Sequence, residues 1–246
     1  MEVEEAVAAE IEKQCKAKIE ELKDWDFLQT LPKKILNFDL TVNFDICGQE
    51  IIMAAYTNND RCALELGFTV ETDDFVVVKR VGLNRFRDER FFAKTREGFV
   101  NLLLPKLSQL VSDVDRKSGH QYSFSGVSIG IDKWQGWHDL PKQVGAMELF
   151  ITPDTPLQIL NGSYVMIDYS DFATRNQLLI MYNEYRNEIY GELKQQGIPC
   201  FTKKFDLQYD EKKHGMNEGL FIKDFEELLK KNLIPVLQEF DKVKKS

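Results

Sequence analysis

Apolar residues at the start of the chain recur every three or four positions. Val3, Val7, Ile11, Cys15, Ile19 and Leu22 form one stripe, and Glu and Lys fill the other side. That spacing follows the helical turn, so it predicts an amphipathic helix docked on the protein's own core. The period then drops to two. Phe38, Leu40, Val42, Phe44 and Ile46 alternate with Asp39, Thr41, Asn43 and Asp45, as in a strand with one face in water. Cys47-Gly48-Gln49 turns the chain into a second strand over 50–56, and Asn58-Asn59-Asp60 turns it again. Leu64, Leu66, Phe68 and Val70 repeat the alternation, and Asp73-Asp74 leads into a fourth strand over 75–81. Short links between successive strands predict an antiparallel meander.

A helix is expected to close this half. Thr95 suits an N-cap, and Phe99, Leu103, Leu107, Leu110 and Val114 make a stripe that ends near Ser118-Gly119, with a kink at Pro105.

The second half opens with strand character over 120–132. Its alternation changes parity between Phe124 and Val127, which a bulge at Gly126 explains. Met147, Leu149 and Ile151 mark another strand, and 164–169 a further one. Ser170 or Asp171 is read as the cap of a long helix reaching Gln196, stopped by Gly197. An edge strand over 199–207 follows. The final helix carries Phe221, Phe225, Leu229, Val236 and Phe240, with Pro235 inside it. Aligned on their prolines, Phe91, Glu97, Leu103, Leu104, Pro105 and Leu107 match Phe221, Glu227, Leu233, Ile234, Pro235 and Leu237. The elements expected before the two helices differ, which weighs against a repeat. The pattern therefore predicts an α+β fold, with antiparallel β-meanders packed against long amphipathic helices. It is arranged either as two subdomains, 1–118 and 119–246, or as one compact domain.

Composition supports a folded core without pointing to a chemistry. Hydrophobic residues make up 43% of 246, and 17 Phe are available to fill an interior. No run approaches the roughly 20 apolar residues of a membrane span, and the acidic N-terminal segment lacks the features of a signal or presequence, so a cytoplasmic protein is expected. Cys15, Cys47, Cys62 and Cys200 are too scattered for a metal or redox motif. The histidines 120, 138 and 214 fall at no ligand spacing, so reduced thiols, no metal and no cofactor are expected. Asn161-Gly162-Ser163 fits a glycosylation sequon but reads as a turn. The net charge of −8 argues against non-specific binding to nucleic acid or anionic membrane by the protein as a whole.

Four local features compete for a role. Gly126-Val127-Ser128-Ile129-Gly130 matches a nucleophile elbow, and Asp168 and His214 follow in hydrolase order, yet Ser128 sits in an expected strand rather than a strand-to-helix turn. Asp206, Asp210, Glu211 and Lys212 supply the residue types of a metal-dependent nuclease but form a polar loop pattern. Between Lys79 and Glu97 seven basic residues face three acidic ones, with Phe86, Phe91 and Phe92 interleaved. Arg85, Arg87 and Arg90 are therefore anion-binding candidates for phosphate or single-stranded nucleic acid, set against the reading that each pairs with a surface carboxylate. Trp134, Trp137 and His138, around Gly136, are interface candidates, set against an inward cluster over the sheet. With no catalytic constellation, the expected function is a non-catalytic binding or protein-interaction protein for an unspecified protein or ligand. The alternative is a phosphate- or nucleic-acid-binding protein or enzyme using segment 79–97.

Overall fold

The computed structural model describes residues 2–116, 130–159, 162–215 and 218–243. The strand expected from position 120, the bulge at Gly126, the Ser128 motif up to Ile129, the helix end at Ser118-Gly119 and Asn161 lie outside them. The fold is α+β, built from helices and antiparallel sheets in two compact units, Met1–Ser118 and Gly119–Ser246.

The first unit begins with helix α1 (Glu2–Leu22), the single turn α2 (Phe27–Thr30) and strands β1 (Lys34–Ile35), β2 (Phe38–Cys47), β3 (Glu50–Thr57), β4 (Cys62–Thr69), β5 (Asp74–Val81) and β6 (Asn84–Arg87). The six strands pair antiparallel in chain order. Four of them are the expected strands, two read from alternation and two from the turns that bound them; β1 and β6 are two and four residues long, too short for a period of two to show. On one face Phe68 packs edge-on against Phe75, and Phe75 stacks on Phe99 of helix α3 (Arg96–Leu103) with Trp25 beside both. Thr95 caps α3 by accepting the Gly98 N–H at 3.1 Å. Pro105 has no N–H to continue the ladder, and the chain passes through a 3₁₀ turn at Leu104–Lys106 before α4 (Leu107–Val114).

The second unit runs through short 3₁₀ turns at Ile131–Lys133 and Gly136–Asp139. Its strands are β7 (Gln143–Val144), β8 (Met147–Ile151), β9 (Leu157–Ile159), β10 (Ser163–Asp171), β11 (Asn176–Asn183), β12 (Glu188–Gln195), β13 (Ile198–Phe201) and β14 (Leu207–Gln208), followed by the turn α5 (Glu211–His214) and helix α6 (Glu218–Val243). The sheet order is β13-β12-β11-β10-β8-β7, with β9 on β10 and β14 on β12. Phe221, Phe225, Leu229, Leu233 and Leu237 of α6 fill the core against Tyr169, Leu178, Ile180, Tyr182 and Phe205. Ile131 belongs to a turn entered through left-handed Gly130, not to a strand.

The long helix expected from Ser170 to Gln196 does not exist; its place is taken by the β11–β12 hairpin. The run from Gln177 to Tyr182 is buried on both faces, so it lacks the alternation that marks a half-exposed strand. Asp171 caps a turn instead of a helix: Oδ1 accepts the Ala173 and Thr174 N–H groups, and Oδ2 accepts the Thr174 hydroxyl at 2.6 Å. Gln196 and Gly197, both at positive φ, form the two-residue turn into β13.

With that correction the two units repeat one architecture. Val144 pairs with Met147 as Ile35 pairs with Phe38, and Gln143 with Glu148 as Lys34 with Asp39. Leu40 N–H bonds Lys33 O and Leu149 N–H bonds Lys142 O, both at 2.9 Å. Positive φ recurs at Leu36 and Gly145, Arg61 and Arg175, Asp73 and Asn187, and Gly82 and Gln196. A sequence signal accompanies the geometry: Trp25 is followed at the same distance by Leu31-Pro32-Lys33 as Trp134 is by Leu140-Pro141-Lys142.

Candidate functional site

Alternation along β4 and β5 puts Glu65, Arg80 and Val78 on the sheet face opposite Phe68 and Phe75. The pairings place Glu50, Arg85 and Arg87 on that same face. The charges close on one another there. Arg85 reaches Glu50 at 2.5 Å and Glu65 at 2.9 Å, Arg87 reaches Glu50 at 2.5 Å, and Arg80 reaches Glu65 at 3.0 Å. The Glu50 side chain is only 6% exposed. Burial alone would pull the Arg85 guanidinium down, but Glu65 and Glu50 reverse that and hold it above its ordinary value. Arg90 grips Asp88 with two bonds, at 2.8 and 2.6 Å. An incoming phosphate would have to displace a carboxylate at each of Arg85, Arg87 and Arg90, so this arrangement works as an internal brace.

On the other face Lys79, nearly buried, lies 3.1 Å from Asp88 and 3.0 Å from Asp113. Burial pushes the Asp88 carboxyl up, yet the Arg90 hydrogen bond and the Lys79 charge outweigh it and hold Asp88 at about 2.

In the second unit Trp134 is 6% exposed, edge-on to Phe225, and its Nε1–H donates to Glu226 Oε1 at 2.9 Å. Trp137 is half-buried and stacks at 3.8 Å on the exposed His138 ring, whose Nε2 lies 3.2 Å from Gln135 Oε1. The three candidates thus divide: Trp134 belongs to the core, and Trp137 and His138 sit at its rim. Between this loop and α6 runs a groove of about 250 Å³, with Leu140, Pro141, Leu229, Leu233 and Ile234 along it. Gly136 is what lets Glu226 reach Trp134, since a Cβ there would lie 2.5 Å from Trp134 Nε1 and 2.7 Å from Glu226 Oε1. The matching position in the first unit is Phe27, two residues past Trp25, and its ring packs on Trp25 at 5.1 Å. The second unit has no side chain there.

Asp168 is fully buried and accepts the Ser170 hydroxyl at 2.6 Å and the Gln177 amide at 2.9 Å. Both nitrogens of His214 are engaged: Nδ1 accepts the Asp210 N–H at 2.9 Å and Nε2 lies 3.1 Å from Asp224 Oδ2, with Tyr209 and Phe221 against the ring. Hydrogen bonds from Lys213 and then His214 hold Asp224 below the usual carboxylate range. Asp210 caps α5 at the Lys212 N–H. Among the described residues no group of three His, Cys, Asp or Glu is placed to hold a metal ion, and no helix is long and apolar enough to cross a membrane.

One site escapes the sequence reading. A cleft of about 750 Å³ opens at the end of the second sheet, lined by Ser163, Asn183, Glu188, Tyr190, Asp206 and Gln208 among others. Ser163 Oγ, in a residue 6% exposed, accepts from Asn183 Nδ2 at 3.1 Å and Tyr190 Oη at 3.2 Å. These residues meet only through the β10–β11–β12 pairing, which a helix over 170–196 forbids. Asn183 and Asn187, four residues apart in a polar stretch, were the turn signal that could have revealed it.

Comparison with family models, curated proteins and solved structures gives no match.

Proposed function

We propose that this chain is a non-catalytic protein-interaction protein, working in a reducing, cytoplasmic setting that suits its four free thiols. In it, antiparallel meanders backed by long amphipathic helices present a groove between the Trp134–Pro141 segment and α6 to a partner peptide bearing an aromatic anchor. The observation that carries this reading is the difference between the repeats at one position. Phe27 packs its ring beside Trp25, whereas at Gly136 no side chain is present, the Glu226 carboxylate takes the space against Trp134, and a groove lined by Leu229, Leu233 and Ile234 runs alongside. A partner's phenylalanine or tyrosine would lie along that apolar wall, beside the Glu226–Trp134 contact. Asp139, Glu226 and Lys230 at the groove edge give the polar rim that such anchors need. The phosphate-binding alternative loses its footing because Arg85, Arg87 and Arg90 are each held by carboxylates of their own unit.

Selection of displayed peptides on the full chain tests the proposal. The expected peptides share one aromatic position, and Ile234→Glu, a change at a 37% exposed residue, weakens their binding at least about tenfold with the thermal midpoint unchanged. Peptides without an aromatic consensus, or binding indifferent to Ile234→Glu, would overturn it.

A further inference from the structure

We infer that the cleft at the end of the second unit's sheet binds a guanidinium or primary ammonium group. The inference is independent of the groove beside α6.

The strand pairings make the two units comparable position by position. Glu50 pairs with Thr69 and Thr69 with Asp74, as Ser163 pairs with Asn183 and Asn183 with Glu188. Arg80 faces Arg85 and Val78 faces Arg87, as Lys194 faces Pro199 and Glu192 faces Phe201. In the first unit this corner of the sheet is closed from within, because the guanidiniums of Arg85 and Arg87 converge on Glu50. In the second unit the two arginine positions are Pro199 and Phe201, so the chain brings no guanidinium to that corner from β13, and the corner is an open cleft. The carboxylate of the brace is gone as well, since the Glu50 position is Ser163, and the negative charge at the cleft walls comes from other residues. Glu188 lies at the end of β12. Asp206, exposed, has no cation against it among the described residues.

The other groups favour a donor-rich guest. Gln208 spends its Nε2 donors on the Arg186 and Asn187 carbonyls, which leaves its Oε1 as an acceptor. Asn183 Oδ1 is taken by the Tyr185 and Arg186 N–H groups, and its Nδ2 by Ser163. Arg186 balances Glu188 at 3.1 Å from a 73% exposed position, so it can swing into water when a better-placed cation arrives. Glu188 and Asp206 outnumber Arg186 at the cleft, so a planar, multi-donor cation meets a net negative charge and an amide oxygen, whereas an anion meets that net charge as a like one.

The full-length protein, labelled with ¹⁵N, would be titrated with agmatine, with a Gly-Arg-Gly tripeptide and with its citrulline counterpart, which keeps the shape but not the charge. Saturable shifts centred on Ser163, Asn183, Glu188, Tyr190 and Gln208 are expected with the first two and not with the third. Asp206→Asn, at an exposed position, should weaken binding about tenfold, the scale of losing one partner of a charge-assisted pair, and leave the spectrum elsewhere unchanged. Agmatine binding more tightly than the tripeptide would identify a free small molecule as the guest, and the reverse order a side chain on a partner. Equal response to arginine and citrulline, no saturation with either cation, or indifference to Asp206→Asn would each overturn the inference.

Discussion

Tyr56 and Tyr169 make the same bond in two copies of one unit: each hydroxyl donates to a proline carbonyl, Pro32 O at 2.8 Å and Pro141 O at 2.7 Å. In both cases the bond ties a central strand to the segment that enters the sheet. It thereby satisfies the carbonyl of a residue that follows a turn and precedes a two-residue strand. Either Tyr→Phe change leaves that carbonyl without its donor while keeping the ring in place. The expected loss is about 1–2 kcal/mol per site in urea unfolding. A loss at one site only would mean that the bond is structural in one unit and incidental in the other.

Buried phenols and thiols also set the alkaline limit. Burial pushes Tyr56 up to about 12, does the same to Tyr182 with help from the charge of Glu184, and lifts Tyr169 higher still. Cys62 is pushed up to about 11, again chiefly by burial. A raised folded-state pKa means that the folded protein holds its proton where the unfolded chain has released it. This stabilisation is complete below the unfolded values, 9.0 for the thiol and 10.0 for the phenols, and is lost as pH rises through the folded ones. Urea midpoints should hold steady up to pH 9 and fall between 9 and 12, with the share of tyrosinate absorbance that belongs to Tyr56, Tyr169 and Tyr182 appearing only as the protein unfolds.

At the acid end the sign reverses. Asp88, held at about 2 against an ordinary 3.8, contributes stability that is present above pH 3.8 and lost as pH falls toward 2. Asp88→Asn should flatten the acid limb in that window. It leaves nearly buried Lys79 with Asp113 alone, so a cost of about 2–3 kcal/mol at neutral pH is expected. Circular dichroism during acid titration of both proteins measures the two effects together.

The sequence carried the first unit better than the second for a physical reason. Strand β2 has one face in water, and its alternation is plain; β11 is buried on both faces, and its run of Leu178 to Tyr182 reads equally as a helix. That single ambiguity concealed the repeat, because a helix over 170–196 breaks the match between the units. It also concealed the cleft, because Ser163, Asn183 and Glu188 are distant in sequence and adjacent only across pairs. The groove was half legible: the tryptophans and Gly136 stood out, but their meaning depends on Phe27, which only the repeat aligns with Gly136. The arginines stood out for their charge, whereas their carboxylate partners at 50 and 65 lie on other strands.

Those partners give the sharpest test of what the arginines do. If Arg85 and Arg87 brace the sheet through Glu50, the wild-type protein should show no salt-dependent binding of a short single-stranded oligonucleotide by these arginines even at low ionic strength, because Arg80, Arg85, Arg87 and Arg90 each lie on a carboxylate. Glu50→Gln then has two consequences at once. It removes the carboxylate that Arg85 and Arg87 share and leaves Arg85 with Glu65 alone, on a face where each guanidinium is about one-third exposed, costing about 1–3 kcal/mol of stability. It also raises the corner's net charge from +1, with Arg80, Arg85 and Arg87 on Glu50 and Glu65, to +2, so weak, salt-sensitive retention of the oligonucleotide should appear in the variant. Arg85→Ala in the wild-type background should lower stability with no change in anion binding. Oligonucleotide binding by the wild type that vanishes on Arg85→Ala would restore the anion-binding reading, since a brace that also binds phosphate must open to do so.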